Sequence, residues 1–100
     1  MNEFFLDRLN IAHALIDEGN FEKAVELLQN LKTRIHDTDI LSKINMHDDT
    51  TEKEFKTSEM NIVNKRAGPY ECFNEFFNLR KWKAQEYLKF YDKIFKEHDI

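Results

Sequence analysis

Backbone punctuation is scarce in this chain, with two glycines and one proline in 100 residues. Sandwiches and barrels built from short strands need turn signals at close intervals, so an all-β fold is set aside. Cysteine is scarcer still. Cys72 stands alone, which rules out an intrachain disulfide and the stapled secreted scaffolds, and a reducing cytoplasm is the expected location. No uninterrupted apolar run is long enough to span a bilayer. The start, Met1-Asn2-Glu3-Phe4-Phe5, is acidic rather than basic, and neither end carries a lipidation signature. Positive charge is not in excess either. The formal net charge is −4, which argues against a general binder of nucleic acid or anionic membrane.

What the chain has in quantity is charge of both signs, 34% of residues, and a set of 13% aromatics. The acidity is uneven. Up to Ser58 there are 7 Lys/Arg against 12 Asp/Glu (7 − 12 = −5), and after it 8 against 7 (8 − 7 = +1). A chain of this size holds one compact core, and the expected architecture is a single all-α domain: a small helical bundle with an N-terminal αα-hairpin, a middle helix and a long C-terminal amphipathic helix.

Phe5, Leu9, Ala12 and Ile16 recur at intervals of four, three and four, the signature of one helix face. Gly19-Asn20 breaks the run, since glycine adopts a left-handed helix end without steric cost. Phe21, Ala24, Val25, Leu28, Leu31 and Ile35 draw a second stripe, with Glu22 early and Lys32 and Arg34 late, as the helix dipole favours. So short a connection predicts an αα-hairpin over residues 1–36. Residues 37–50 are expected to form an irregular acidic connection, with Ile40, Leu41 and Ile44 making a turn or two of helix after Asp37 or Asp39 as N-cap. Thr51-Glu52-Lys53-Glu54 fits a capping box that would start a middle helix over 51–67, ended by Ala67-Gly68-Pro69. Its apolar stripe is thin: Phe55, Ile62 and Val63.

A last helix is predicted over 69–98. At about 100° per residue, Phe73, Phe76, Phe77, Ala84, Tyr87, Leu88, Tyr91, Ile94 and Phe95 share its core face, together with Arg80, which would snorkel or meet a carboxylate of another helix. Leu79, Trp82 and Phe90, in line with Cys72, lie nearly opposite. One buried face cannot hold both sets.

The run from Phe5 to His36 resembles a single tetratricopeptide-repeat hairpin, through Ala12, Leu15, Gly19, Phe21, Ala24 and Leu28. The resemblance implies two helices packed by their ridges and, in that family, a protein-interaction scaffold without chemistry of its own. Leu31 stands where the family has a small residue, no proline follows the second helix, and no second copy is present, whereas such repeats normally stack in threes or more.

Chemical motifs are few. His36-Asp37, His47-Asp48 and His98-Asp99 offer ligand types suited to a metal, yet the paired spacings of helical metal sites are absent, so polar loop residues are the expectation. Cys72 lies between Glu71 and Glu75, which would raise a thiol pKa rather than activate it. There is no glycine-rich phosphate loop. Arg80-Lys81-Trp82-Lys83 surrounds an aromatic with cations, a pattern that can contact phosphate and stack on a base, but acidic neighbours dilute it. No catalytic, cofactor-binding or metal residue is assigned, and no cofactor. The expected function is that of a small cytoplasmic protein that binds another protein stoichiometrically, as an inhibitor, antitoxin-like factor or adaptor. Its partner-binding residues would be Leu79, Trp82 and Phe90 with Lys83 and Glu86, and the acidic stretch from Asp37 to Glu54 a second contact. The alternatives are a structural homo-oligomer, such as a dimer pairing its last helices, and more remotely a metal-dependent enzyme or a nucleic-acid binder.

Overall fold

The computed structural model describes residues 2–65 and 69–100. Among these are four α-helices, one 3-10 turn and no strand, which makes the protein a small all-α bundle. Helix α1, Glu3–Asp17, is capped by Asn2, whose side chain accepts a hydrogen bond from the Phe4 backbone N–H at 2.7 Å. The residues it buries are Phe5, Leu9, Ala12 and Ile16, the stripe that the spacing predicts. Gly19 turns the chain at φ +87°, a left-handed conformation costly for any residue with a Cβ. Helix α2, Phe21–Asn30, follows at once. Its stripe does continue through buried Leu31 and Ile35, but the last part is wound more tightly, as a 3-10 turn over Leu31–Arg34.

The third helix departs from expectation. There is no irregular connection and no new start at Thr51: α3 runs unbroken from Thr38 to Lys65. Asp37 is its N-cap, with Oδ1 accepting from the backbone N–H groups of Asp39 (2.9 Å) and Ile40 (3.2 Å). Thr51, expected to be a cap, is buried in mid-helix with its hydroxyl 3.4 Å from His47 Nε2. The buried stripe passes from Ile40 and Ile44 through Asp48 and Thr51 to Ile62. Two of its central members are polar, so the helix period is interrupted only for a reader who counts apolar letters. The helix end expected at Ala67-Gly68 lies outside the described residues.

Helix α4, Pro69–Glu97, opens on a proline in the first turn, where its missing N–H costs nothing. It is the spine of the molecule, since α1, α2 and α3 all pack on it. Helix α3 runs antiparallel to it, with Tyr91 meeting Asp48, Tyr87 meeting Glu52, and Lys83 over Phe55. Helix α2 runs parallel, since Glu22 meets Arg80 and Gln29 meets Tyr87. Helix α1 returns antiparallel, bringing the Phe5 ring to 5.0 Å from that of Phe95. Ala84, Tyr87, Tyr91 and Phe95 are fully buried at the junction, each large side chain contributing about 1.5–3 kcal/mol. The chain ends meet where the Asn2 N–H donates to the Ile100 carbonyl.

The α1–α2 hairpin covers only part of α4. Phe77 still reaches the Phe21 ring at 5.0 Å, but Phe73, assigned to the core face by its register, is 71% exposed. The molecule is accordingly elongated, 48 × 26 × 18 Å.

Candidate functional site

Because α4 is packed from several sides, its second apolar set has a neighbour within the chain. Leu79 and Trp82 are partly buried and line a shallow depression with Lys53, Glu54, Thr57 and Ser58 of α3. Phe90 lines a second depression with Lys43, Met46, His47, Thr50, Lys93, Ile94 and Glu97, and its ring stacks on His47 at 4.0 Å, nearly parallel. Both depressions are lined by α3 and α4 alone. They lie one after the other along the α3–α4 pair, on a side that no residue of the α1–α2 hairpin lines, and together are termed the furrow. Glu86 follows Trp82 and precedes Phe90 by four residues each, on the same stripe. Met46, on the α3 side of the furrow, is 68% exposed, and no spacing argument singled it out.

Lys83 is not part of that face. Its Nζ pairs with Glu52 at 2.9 Å and sits 4.5 Å above the Phe55 ring, on the side of α3–α4 that faces α2. There it lines a cavity of about 140 Å³ with Phe21, Glu22, Val25, Glu26, Gln29, Phe55 and Arg80. The reason is angular: Lys83 is one residue past Trp82 and so about 100° away around the helix. The Cys72 side chain lies outside the described ones.

A second constellation escaped the sequence reading, a polar network inside the α2–α3–α4 junction. Asp48 is 5% exposed. Its Oδ2 accepts from Lys32 Nζ at 3.0 Å and from the Tyr91 hydroxyl at 2.9 Å. Its Oδ1 lies 3.6 Å from His47 Nδ1, and among the described residues neither atom has a hydrogen-bond partner. Next to it, the Tyr87 hydroxyl donates to Glu52 at 2.8 Å and accepts from Gln29 at 3.4 Å. Burial pushes both tyrosine hydroxyls well above their ordinary range, reinforced for Tyr91 by the charge and hydrogen bond of Asp48 and for Tyr87 by those of Glu52. Burial alone would raise Glu52, but hydrogen bonds from Lys83 and Tyr87, with the charges of Lys83 and Lys56, outweigh it and hold the carboxyl below its usual value. Apart from His47 Nδ1 and Asp48 Oδ1, these groups satisfy one another, as most buried polar side chains do.

The His-Asp dipeptides resolve into separate roles. Asp37 caps α3, His47-Asp48 joins the buried network, and His98 and Asp99 are exposed past α4. Among the described residues no three His, Cys, Asp or Glu side chains converge to hold a metal ion. In the cationic tetrapeptide, Arg80 pairs with Glu22 at 3.2 Å and Lys83 with Glu52. Of the acidic stretch, Asp48 and Glu52 are engaged inside, leaving Asp39, Asp49 and Glu54 at the surface.

No family model matches the chain, and neither does a curated protein or a solved structure. The tetratricopeptide likeness therefore rests on the local hairpin alone, where Ala12, Ala24 and Leu28 are fully buried.

Proposed function

We propose that this protein works by binding another polypeptide, without chemistry of its own, and that its working surface is the open α3–α4 furrow. The observation that carries the reading is the line of half-buried Leu79, Trp82 and Phe90 with exposed Met46 in depressions that, among the described residues, only α3 and α4 line. Large apolar side chains set among charged ones, here Lys43, Lys53, Glu54, Glu86 and Lys93, have the composition of a binding hot spot with a polar rim. A non-catalytic role is in keeping with an interior in which Asp48, Glu52, Tyr87, Tyr91, Lys32 and Lys83 are engaged with one another. Nucleic-acid binding is the weaker reading, since two of the four residues of the cationic run are engaged in ion pairs. Among the described residues no helix is long and apolar enough to cross a membrane, and a cytoplasmic location is part of the proposal.

The test compares affinity capture from the native cell by the wild type, by Trp82→Glu, and by Ile11→Glu on the exposed side of α1. Circular dichroism is used to check that each variant is folded. Proteins lost by the Trp82 variant and kept by the Ile11 variant support the furrow. Identical captures by all three would remove it.

A further inference from the structure

The end of the α1–α2 hairpin comes back to its start, so that Arg34, at the close of the 3-10 turn, reaches the opening turns of α1. There it meets a ring. Arg34 Cζ lies 4.0 Å from the centroid of Phe4, and Arg8 Cζ, four residues along α1 from Phe4, lies 4.6 Å from the same centroid. The two guanidinium carbons are therefore within about 9 Å of each other, each drawn to the π-system of one aromatic side chain. Like charges so placed repel. Lys32, Arg80, Lys83 and Lys96 each pair with a carboxylate, whereas among the described residues neither Arg8 nor Arg34 has one within ion-pair distance. Glu3 and Asp7 adjoin Phe4 and Arg8 in sequence but lie about 100° away around the helix, and Asp37 is held as the cap of α3. Phe4 and Arg8 are half-buried, with Phe4 packed on the core, while Arg34 stands exposed.

We propose that Arg8 and Arg34, held on Phe4, bind one phosphate monoester, the group that a phosphorylated side chain of another protein presents. Charge decides the class. Two guanidiniums balance a dianion, and a phosphate monoester carries close to two negative charges near neutral pH, whereas a single carboxylate would balance only one of them. Shape agrees. A guanidinium offers its N–H donors in a planar fork that matches two phosphate oxygens. A phosphate with a fork on either side spans roughly 8 Å between the guanidinium carbons, a separation that the shared ring permits. The ring assists, because its faces attract the cations while its edge is positive and tolerates an anion. A polyanion is disfavoured, since the chain carries a net −4 and Glu3 and Asp7 flank the pair. The site therefore fits an isolated phosphate on a polypeptide rather than nucleic acid or an anionic bilayer. It lies on α1 and the 3-10 turn, apart from the furrow, and does not depend on the reading of that surface.

Calorimetric titration of the full chain with a short phosphoserine peptide of neutral flanking residues, beside its unphosphorylated twin, tests this. The phosphopeptide should bind and the twin should not, with inorganic phosphate competing. Arg8→Gln and Arg34→Gln, the latter at an exposed site, should each weaken binding at least tenfold. Lys23→Gln, which removes an exposed cation of α2, should leave it unchanged. Phe4→Leu keeps apolar packing but removes the ring, and should weaken binding although both arginines are present. Circular dichroism checks that each variant is folded. In nitrogen-15 NMR spectra the Nε–H signals of Arg8 and Arg34 should move together as phosphopeptide is added, and that of Arg80 should not. Equal binding of the two peptides, or a loss as large in Lys23→Gln as in Arg34→Gln, would reduce the attraction to net charge and overturn the site. A phosphopeptide that fails to bind, or that moves neither arginine signal, does the same. Vesicles containing phosphatidic acid that bind through the arginines while the phosphopeptide does not would overturn the polypeptide as the source of the phosphate.

Discussion

Asp48 shows most directly how single side chains determine what this fold tolerates. A carboxylate 5% exposed is costly unless it is compensated, and Lys32 and the Tyr91 hydroxyl supply the compensation on one oxygen only. Removing Lys32 strands a buried charge, so Lys32→Met should cost about 3 kcal/mol. Tyr91→Phe removes one hydrogen bond and should cost about 1–2 kcal/mol. Replacing both charges behaves differently. A Lys32→Met/Asp48→Leu double variant puts apolar groups in place of the pair and should recover most of the single-variant loss, as buried ion pairs exchanged for apolar packing commonly do. Urea unfolding of the single and double variants measures this coupling directly. Strictly additive losses would show that Lys32 and Asp48 do not act as a pair.

Helix by helix, legibility followed the identity of the buried residues. The α1–α2 hairpin was readable because every buried position is apolar and a glycine marks the turn. A Cβ added at Gly19 meets nothing within 4 Å, so Gly19→Ala should cost only the backbone strain of a positive φ, about 1 kcal/mol, and lower the melting temperature by roughly 4–8 °C. Helix α3 was readable only in pieces, because Asp48 and Thr51 occupy its buried stripe and resemble loop residues when taken alone. Its N-cap was among the two candidates. Asp37→Ala should cost about 1 kcal/mol, since two backbone donors lose their acceptor, while Asp39→Ala, one residue into the helix, should cost measurably less. Thermal melts of the two variants decide between them. The two-sided apolarity of α4 was visible in the sequence, but not its cause. Only the packing shows that α2 and α1 take one side, α3 takes a second, and a strip including Trp82 and Glu86 is left over, while Lys83 turns to the other side.

For the molecule as a whole, the buried network sets how stability responds to pH. Glu52 has a folded-state pKa below its ordinary 4.5. Its contribution is therefore complete above that value and is lost as the pH falls through the lower, folded one. The effect is small because the side chain is 35% exposed and screened by solvent. The tyrosines act in the opposite direction. Tyr87 and Tyr91 are raised above the ordinary 10.0, so their contribution is complete below pH 10 and is lost as the pH rises beyond it, while the unfolded chain ionises first. Alkali should thus unfold the bundle before either phenol ionises in place, because phenolate at those positions would face Asp48 and Glu52 inside the core. Tyrosinate absorbance and far-ultraviolet circular dichroism, followed together in an alkaline titration, provide the test. Of the three tyrosines, no more than one should ionise while the helical signal is intact. Ionisation of two or three within a folded chain would show that the Tyr91–Asp48 and Tyr87–Glu52 hydrogen bonds do not hold the α3–α4 pair together.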